Sequence, residues 1–460
     1  MSQDIDKLDA ETQDGVRSPV SGLHAAVAAG EAVEAQGVAV LARSRFELPA
    51  YLWVQACWFA GFGLQMVLFP YLTANVLQQD ARALGIAQMS LSAPSLALLL
   101  FGGALAERAD GRRLLITLHV LAALPPLALA GVVASGALMF WMLPVYGLVM
   151  GSIGAFMMPA RDAILTAVVQ RRVEAGSGMT MQQGVALAAI AQFAAQVAGL
   201  LAGGLASTLG PDKLIAVQGI VMGLGAAAAL WLQRGRPVPA SGAPAGVRGA
   251  LAAVADGLRI VRADPALLSM VLTMFAVGIF IIGSFLVVLP ILARDSYAGG
   301  ASTLTLIFVA FWGGAFVSSV VLSRLKAARW PGRTLLIAQF LGAGCILAIF
   351  IKPPFHVFLA VVVAWGLLAG VAMTMSRSIV QERAPKSHIA RVLSIYQLGF
   401  MGGAPIGALV MGVCTRAFGP HHAALVPAIG MMVLVLFNIV ATPIWRLTRK
   451  DGAIIVRARR

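Results

Sequence analysis

The side chains best suited to acid–base, nucleophilic or metal chemistry are few here, and their placement argues against an enzyme. Nineteen carboxylates, six histidines and three cysteines are spread over 460 residues. Eight of the acids fall within residues 1–47, and the others are Asp80, Glu107, Asp110, Asp162, Glu174, Asp212, Asp256, Asp264, Asp295, Glu382 and Asp451. None of these eleven lies deep inside an apolar run. There is no H-E-x-x-H pair, no paired-acid site and no G-x-x-x-x-G-K-[ST] loop for ATP-driven work. Cys57, Cys345 and Cys414 stand in apolar runs at no metal-ligand spacing and read as small core residues. No catalytic residue, metal or cofactor is expected. Two other groupings stand out. One is the charge cluster Glu107, Arg108, Asp110, Arg112 and Arg113, just after Gly102-Gly103, a pair that lets helices approach closely. The other is a set of glutamines in apolar surroundings: Gln55, Gln65, Gln182, Gln183, Gln192, Gln196 and Gln397. Glutamine in hydrocarbon is costly unless it bonds across helices or faces water, so each is either helix–helix glue or the lining of a wet cavity. With Trp53, Trp58, Phe62 and Met66 nearby in sequence, such a cavity is apolar and weakly polar. That favours an amphiphilic or lipophilic cargo over sugars or small ions. The candidate lining residues are Gln55, Phe62, Gln65, Gln192, Gln196 and Gln397.

The elements that carry these residues follow from composition. The chain is 59% hydrophobic and only 12% charged, with a mean hydropathy of +0.87. Charged residues are roughly a quarter of a soluble protein. Hydrocarbon must therefore face most of the exterior, and the spanning segments must satisfy their own backbone groups as helices or a closed barrel. The apolar runs lack the alternation of barrel strands. A window suited to a hydrocarbon core of about 30 Å marks twelve spans, near 50–76, 84–106, 112–134, 137–160, 178–207, 213–233, 266–293, 302–323, 333–352, 355–376, 391–415 and 423–446. The expected fold is an all-α membrane protein of twelve transmembrane helices.

The formal net charge of +15 raises the question of nucleic acid, and its distribution answers it. With the N-terminus inside, cytosolic segments hold 29 of the 34 Lys and Arg residues, and the opposite face holds only Arg82, Lys213, Arg294, Lys352 and Arg416. This is a positive-inside pattern, with both termini cytoplasmic, and not a nucleic-acid surface. Residues 1–47 read as an acidic cytosolic arm, without the basic start and unbroken apolar core of a secretory signal. Residues 48–233 form a first six-helix bundle and 266–446 a second. Residues 234–265 read as a cytosolic linker, Pro/Ala/Gly/Ser-rich at first and then an amphipathic helix from 249 to 263. Residues 447–460 read as a basic cytosolic tail.

The halves repeat. Phe101-Gly102-Gly103-Ala104 recurs as Trp312-Gly313-Gly314-Ala315, and Val169-Gln170-Arg171-Arg172 recurs as Val380-Gln381-Glu382-Arg383 at the same offset of 211 residues. Gly111-Arg112-Arg113-Leu114-Leu115-Ile116 recurs as Gly332-Arg333-Thr334-Leu335-Leu336-Ile337. Three matches in one order at equivalent loops point to two pseudo-symmetric six-helix bundles that rock about a central site.

Residues 103–114, G-A-L-A-E-R-A-D-G-R-R-L, resemble the span 2–3 signature of the major facilitator superfamily, in the G-x-L-A-D-R-x-D-R-R-R-L form of a bacterial efflux branch that includes enterobactin-type siderophore exporters. Pro159-Ala160-Arg161, the Asp256–Pro265 segment, Leu289–Asp295, Gln381–Pro385 and Gly402–Gly407 resemble the same branch, and the likeness covers residues 50–446. Glu107 stands where the signature has Asp. The span 5 pattern R-x-x-G-P-x-x-G-G appears as Gln196–Gly204 without its Arg or Pro. In span 1, many relatives have an acid after a Gly, where this chain has Gly61-Phe62. The resemblance implies the major facilitator fold, a bacterial inner-membrane location and alternating-access transport of a small molecule, with export the implied direction. It also implies a cytosolic latch between the halves at Gly103, Glu107, Arg108, Asp110, Arg112 and Arg113, with Arg161 and Asp162 as partners. Exposed ion pairs attract by about 0–1 kcal/mol each, so such a latch is breakable. Proton coupling has few places to reside: Glu107, Asp162 and Glu382 at the cytosolic edge, and His119, which reads first as a packed, hydrogen-bonded histidine. A lipid or lysolipid carrier on the same fold is the alternative reading, and a membrane-embedded enzyme the remote one. The expected partners are a small-molecule substrate and the bilayer, for a monomer.

Overall fold

A computed structural model describes residues 46–106, 109–174, 181–233, 247–297, 299–324, 328–385, 388–450 and 453–456. Among them the first half comprises α1 (Phe46–Val76), α2 (Ala81–Ala106), α3 (Gly111–Ala134), α4 (Met142–Glu174), α5 (Met181–Gly203) and α6 (Pro211–Ala229). A linker helix (Val247–Ala263) follows. The second half comprises α7 (Pro265–Asp295), α8 (Ala301–Arg324), α9 (Pro331–Ile351), α10 (Phe355–Arg383), α11 (Ile389–Phe418) and α12 (Pro420–Ala441). Ten of these helices are long and apolar enough to cross a membrane, and α2 and α5 take the second and fifth places between them, consistent with twelve. The acidic arm, Glu107, Arg108 and the first part of the linker lie outside the described residues.

Local chemistry explains the helix starts. Asp110 caps α3, its Oδ1 accepting from Arg113 N at 3.1 Å. Asp264 caps α7 by accepting from Ala266 N at 2.8 Å, with Pro265 in the first turn, where a missing N–H costs nothing. The linker helix turns Gly257 and Val261 inward and Arg259 and Arg262 outward, as its amphipathic pattern requires, and packs on α7 and α11 while also reaching α2.

The two halves are built alike. α2 packs on α4 and α3 on α6; in the second half α8 packs on α10 and α9 on α12. Between the halves, α2 lies against α11, and α5 against α8, which is the same joint under exchange of halves. Each half also carries an ion pair from the start of its first span to the end of its fourth. Glu47, 1% exposed, takes Arg171 at 2.5 Å, and Asp264 takes Arg383 at 2.6 Å. Each pair holds the chain that follows the sixth span as well. Gln233 N donates to Glu47 at 3.2 Å, and Arg383 Nη1 donates to Ile454 O at 3.3 Å. Glu47, assigned to the arm by sequence, thus sits in the first turn of α1.

The all-α expectation needs one amendment. Within residues read as a basic tail, β1 (Leu447–Lys450) and β2 (Ala453–Val456) form an antiparallel hairpin with Lys450 opposite Ala453. The connecting dipeptide is Asp451-Gly452, the composition that two-residue hairpin turns favour. Leu447 and Ile454 are buried against Val261, Leu335, Ile379 and Val380. Arg449 pairs with Glu382 and donates from its backbone to Arg329 O at 2.9 Å. The hairpin binds because its apolar side chains complete a cluster that the helix ends leave open.

Candidate functional site

The glutamines divide into two networks. In the first, Gln65 Oε1 on α1 accepts from Tyr146 Oη of α4 at 3.1 Å and from Gln218 Nε2 of α6 at 3.0 Å, and Gln218 also donates to Tyr146 at 3.0 Å. All three are buried. A closed triangle of this kind ties three helices together. Gln218 carries the same signal in the sequence as Gln65, a glutamine in an apolar run, and belongs with it.

The second network mixes buried and partly buried residues. Gln55 Oε1 accepts from Arg161 Nη1 at 2.9 Å, and Gln55 Nε2 donates to Gln192 Oε1 at 3.4 Å, joining α1, α4 and α5. Tyr51 donates to Arg161 O at 3.2 Å. The Arg161 guanidinium lies 4.6 Å from the centre of the Phe59 ring, and Phe62 meets Phe59 edge-on at 6.2 Å. Gln192 and Phe62 are only partly buried. Gln196 is buried and donates to Met66 Sδ at 3.4 Å. Gln397, in α11 of the other half, is half-buried and belongs to neither network.

His119 lies beside this second group with no exposure. Its Nδ1 stands 2.8 Å from Met222 O, and its ring meets Trp58 edge-on at 6.2 Å. Of the sequence-derived latch, Asp110 is occupied as a helix cap, Arg112 is half-buried and Arg113 is exposed. Gly111 packs so tightly on Ile164 that a Cβ would come to 2.8 Å, which seats the loop against α4. Gly103 lies in α2, while Glu107 and Arg108 fall outside the described residues. Asp162 is exposed and stands within electrostatic range of Arg377 on α10, a neighbour across the halves that sequence did not suggest.

At the opposite end, which is poor in Lys and Arg, polar contacts join the halves. Arg294, at the end of α7, donates through Nη1 to Ala74 O at 2.9 Å and Gln79 O at 2.6 Å. Asn75 Nδ2 donates to Gly299 O at 3.3 Å, and Arg416 pairs with Asp80 at 3.1 Å. Thr305 of α8 donates to Leu200 O of α5 at 3.1 Å. From there the joint runs inward to Leu96 beside Gly402 and to Phe193 against Phe316, 6.0 Å between ring centres.

The comparisons with known proteins follow this architecture. No protein of curated function matches the chain in sequence. Among solved structures it resembles the nucleoside transporter NupG, at 12% identity and a TM-score of 0.68, over 85% of this chain and 97% of that one. It also resembles a bacterial homologue of the human lysosomal transporter Spinster in an inward-facing, occupied conformation, at 15% identity and a TM-score of 0.63, over 86% and 95% of the two chains. The same homologue unoccupied gives 17% identity and a TM-score of 0.60, over 88% and 96%. At these identities the likeness is one of fold. The sequence profile of the family described as transmembrane secretion effector matches residues 38–451. With that match spanning nearly all of the chain, the protein belongs to the transmembrane secretion effector family of major facilitator transporters.

Proposed function

We propose that the chain is a secondary active transporter that works by alternating access and exports a lipophilic, amphipathic or siderophore-like small molecule across a bacterial inner membrane. The observation that carries this reading is the joint between the halves. Two symmetry-matched helix pairs, α2–α11 and α5–α8, meet with polar contacts at the end poor in Lys and Arg. With the basic loops and both termini in the cytosol, that end is the outer one and the conformation is closed to the outside. Rocking about the joint exposes Gln55, Gln192 and Phe62 to each side in turn. A proton gradient is the proposed driving force.

The cytosolic latch proposed from Glu107, Arg108, Arg112 and Arg113 then closes the opposite end in the outward-open state, Asp162 and Arg377 adding a pair across the gap. Arg108→Ala is expected to shift spin-label distances across the cytosolic mouth toward the open state and to slow transport. Unchanged distances together with unchanged transport would remove the latch from the mechanism. The function itself is tested in proteoliposomes, with and without a pH gradient, using a lipophilic dye and a polar sugar. The dye is expected to accumulate against its gradient only when the pH gradient is present; movement of the sugar alone refutes the reading.

A further inference from the structure

Among the described residues of the first half, two charged side chains are buried, and they are treated differently. Glu47 has its arginine. Arg161, 3% exposed, has no carboxylate within ion-pair distance among the described residues. Its Nε has no hydrogen-bond partner, its Nη1 meets only the neutral Gln55, and its guanidinium rests on Phe59. Asp162, the next residue, is exposed; it stands within electrostatic range of Arg161 but forms no ion pair or hydrogen bond with it. Close by, within electrostatic range of Arg161, the buried His119 Nε2 is also without a partner. An unpaired cation in a low-dielectric interior is strongly disfavoured, and a neutral amide and a ring face offset only part of that cost. Such a charge is sustained when an anion arrives during the working cycle. Arginine suits that task, because its fork matches the geometry of carboxylate and phosphate oxygens.

We propose that Arg161 is the anion-recognition residue of the cargo site. The cargo is then an amphiphile whose head carries a carboxylate or phosphate, held by Arg161 with the amides of Gln55 and Gln192, while its apolar body lies along Phe59 and Phe62. This rests on the transporter reading and narrows it, since neutral lipophiles lack the group that Arg161 requires.

The test uses the full chain in nanodiscs and three fluorescent probes with one undecyl body: the carboxylate, the phosphate and the uncharged amide. The carboxylate, the phosphate or both are expected to bind about tenfold or more tightly than the amide, about one charge-assisted hydrogen-bonded pair's worth. Whichever wins identifies the head group. In Arg161→Gln the preference falls to parity, and in Arg161→Lys a preference remains. Gln55→Glu supplies the missing anion from within, so it is expected to raise the melting temperature and abolish the preference. That second variant decides the matter should Arg161→Gln fail to fold. Equal binding of all three probes by the unmutated chain, including no binding of any, overturns the proposal. So does a preference that survives both Arg161→Gln and Gln55→Glu. Binding with the expected preference but no movement of any cargo in proteoliposomes sinks the transporter reading and leaves the anion site standing.

Discussion

Gln65 and Gln192 look alike in sequence and sit in unlike surroundings. Gln65 is locked to Tyr146 and Gln218 inside the helix packing, whereas Gln192 is half-buried and shares one long hydrogen bond with Gln55. Gln65→Leu removes the acceptor of the Tyr146 O–H and of one Gln218 N–H in the interior and is expected to cost about 1–3 kcal/mol, read by thermal unfolding, with cargo selectivity unchanged. Gln192→Leu is expected to do the reverse: little effect on melting, and a changed rank order of transported dyes. A selectivity change in Gln65→Leu would move that residue into the site. Glu47→Gln breaks an ion pair whose carboxylate is fully enclosed and whose arginine is 31% exposed. The exposed partner softens the loss, so about 1–3 kcal/mol is expected, less than for a pair buried on both sides.

At the scale of elements, the crossing of α2 over α11 is set by glycines. A Cβ on Gly85 would come to 2.6 Å from Ala408 O, and one on Gly412 to 2.8 Å from Ala81 O, so the two backbones nearly touch. Gly85→Ala forces them apart at a cost of about 1–3 kcal/mol in that conformation. The expected consequence is a shift toward the outward-open state, seen as faster labelling of a cysteine placed at Thr305 by a membrane-impermeant maleimide. Slower or unchanged labelling would mean that the crossing does not control that end. The first spans of both halves also depart from regular α-helix, α1 with a π-turn over Leu72–Val76 and α7 with two over Gly278–Ile282 and Ser284–Val288. Pro70 and Pro290 stand beside these stretches, as expected where an absent N–H and ring crowding loosen a helix. The tail hairpin belongs to this scale too. Leu447 has no exposure, and Leu447→Ala is expected to lower stability by about 2–5 kcal/mol, read as a fall in melting temperature.

On the scale of the whole molecule, the matching ion pairs Glu47–Arg171 and Asp264–Arg383 fasten the first span of each half to its fourth, and the proposed rocking then falls at the joint between the halves. Arg294 and Arg416 hold the end of that joint that is poor in Lys and Arg. The double variant Arg294→Ala, Arg416→Ala is expected to favour the outward-open state, with spin-label distances lengthening between the α1–α2 and α7–α8 loops. Unchanged distances would show that helix packing alone keeps that end shut. The linker helix touches elements of both halves and is carried on the second. A cysteine at Ala255 is therefore expected to react only from the cytosolic side, and reaction from outside would reverse the threading.

Hydropathy, the positive-inside count and the 211-residue repeat are enough to yield the helical class, the two halves and the linker helix, because each is a sum over many residues facing one solvent. The hairpin was missed although the Asp451-Gly452 dipeptide is in plain view in the sequence, since a strand pair of four residues each is stable only against a surface that helices from elsewhere provide. Which glutamine is glue and which arginine has no counter-charge could be decided only by tertiary structure. Those properties depend on the one or two nearest groups, and here those groups come from α1, α4, α5 and α6, up to 153 residues apart in the chain.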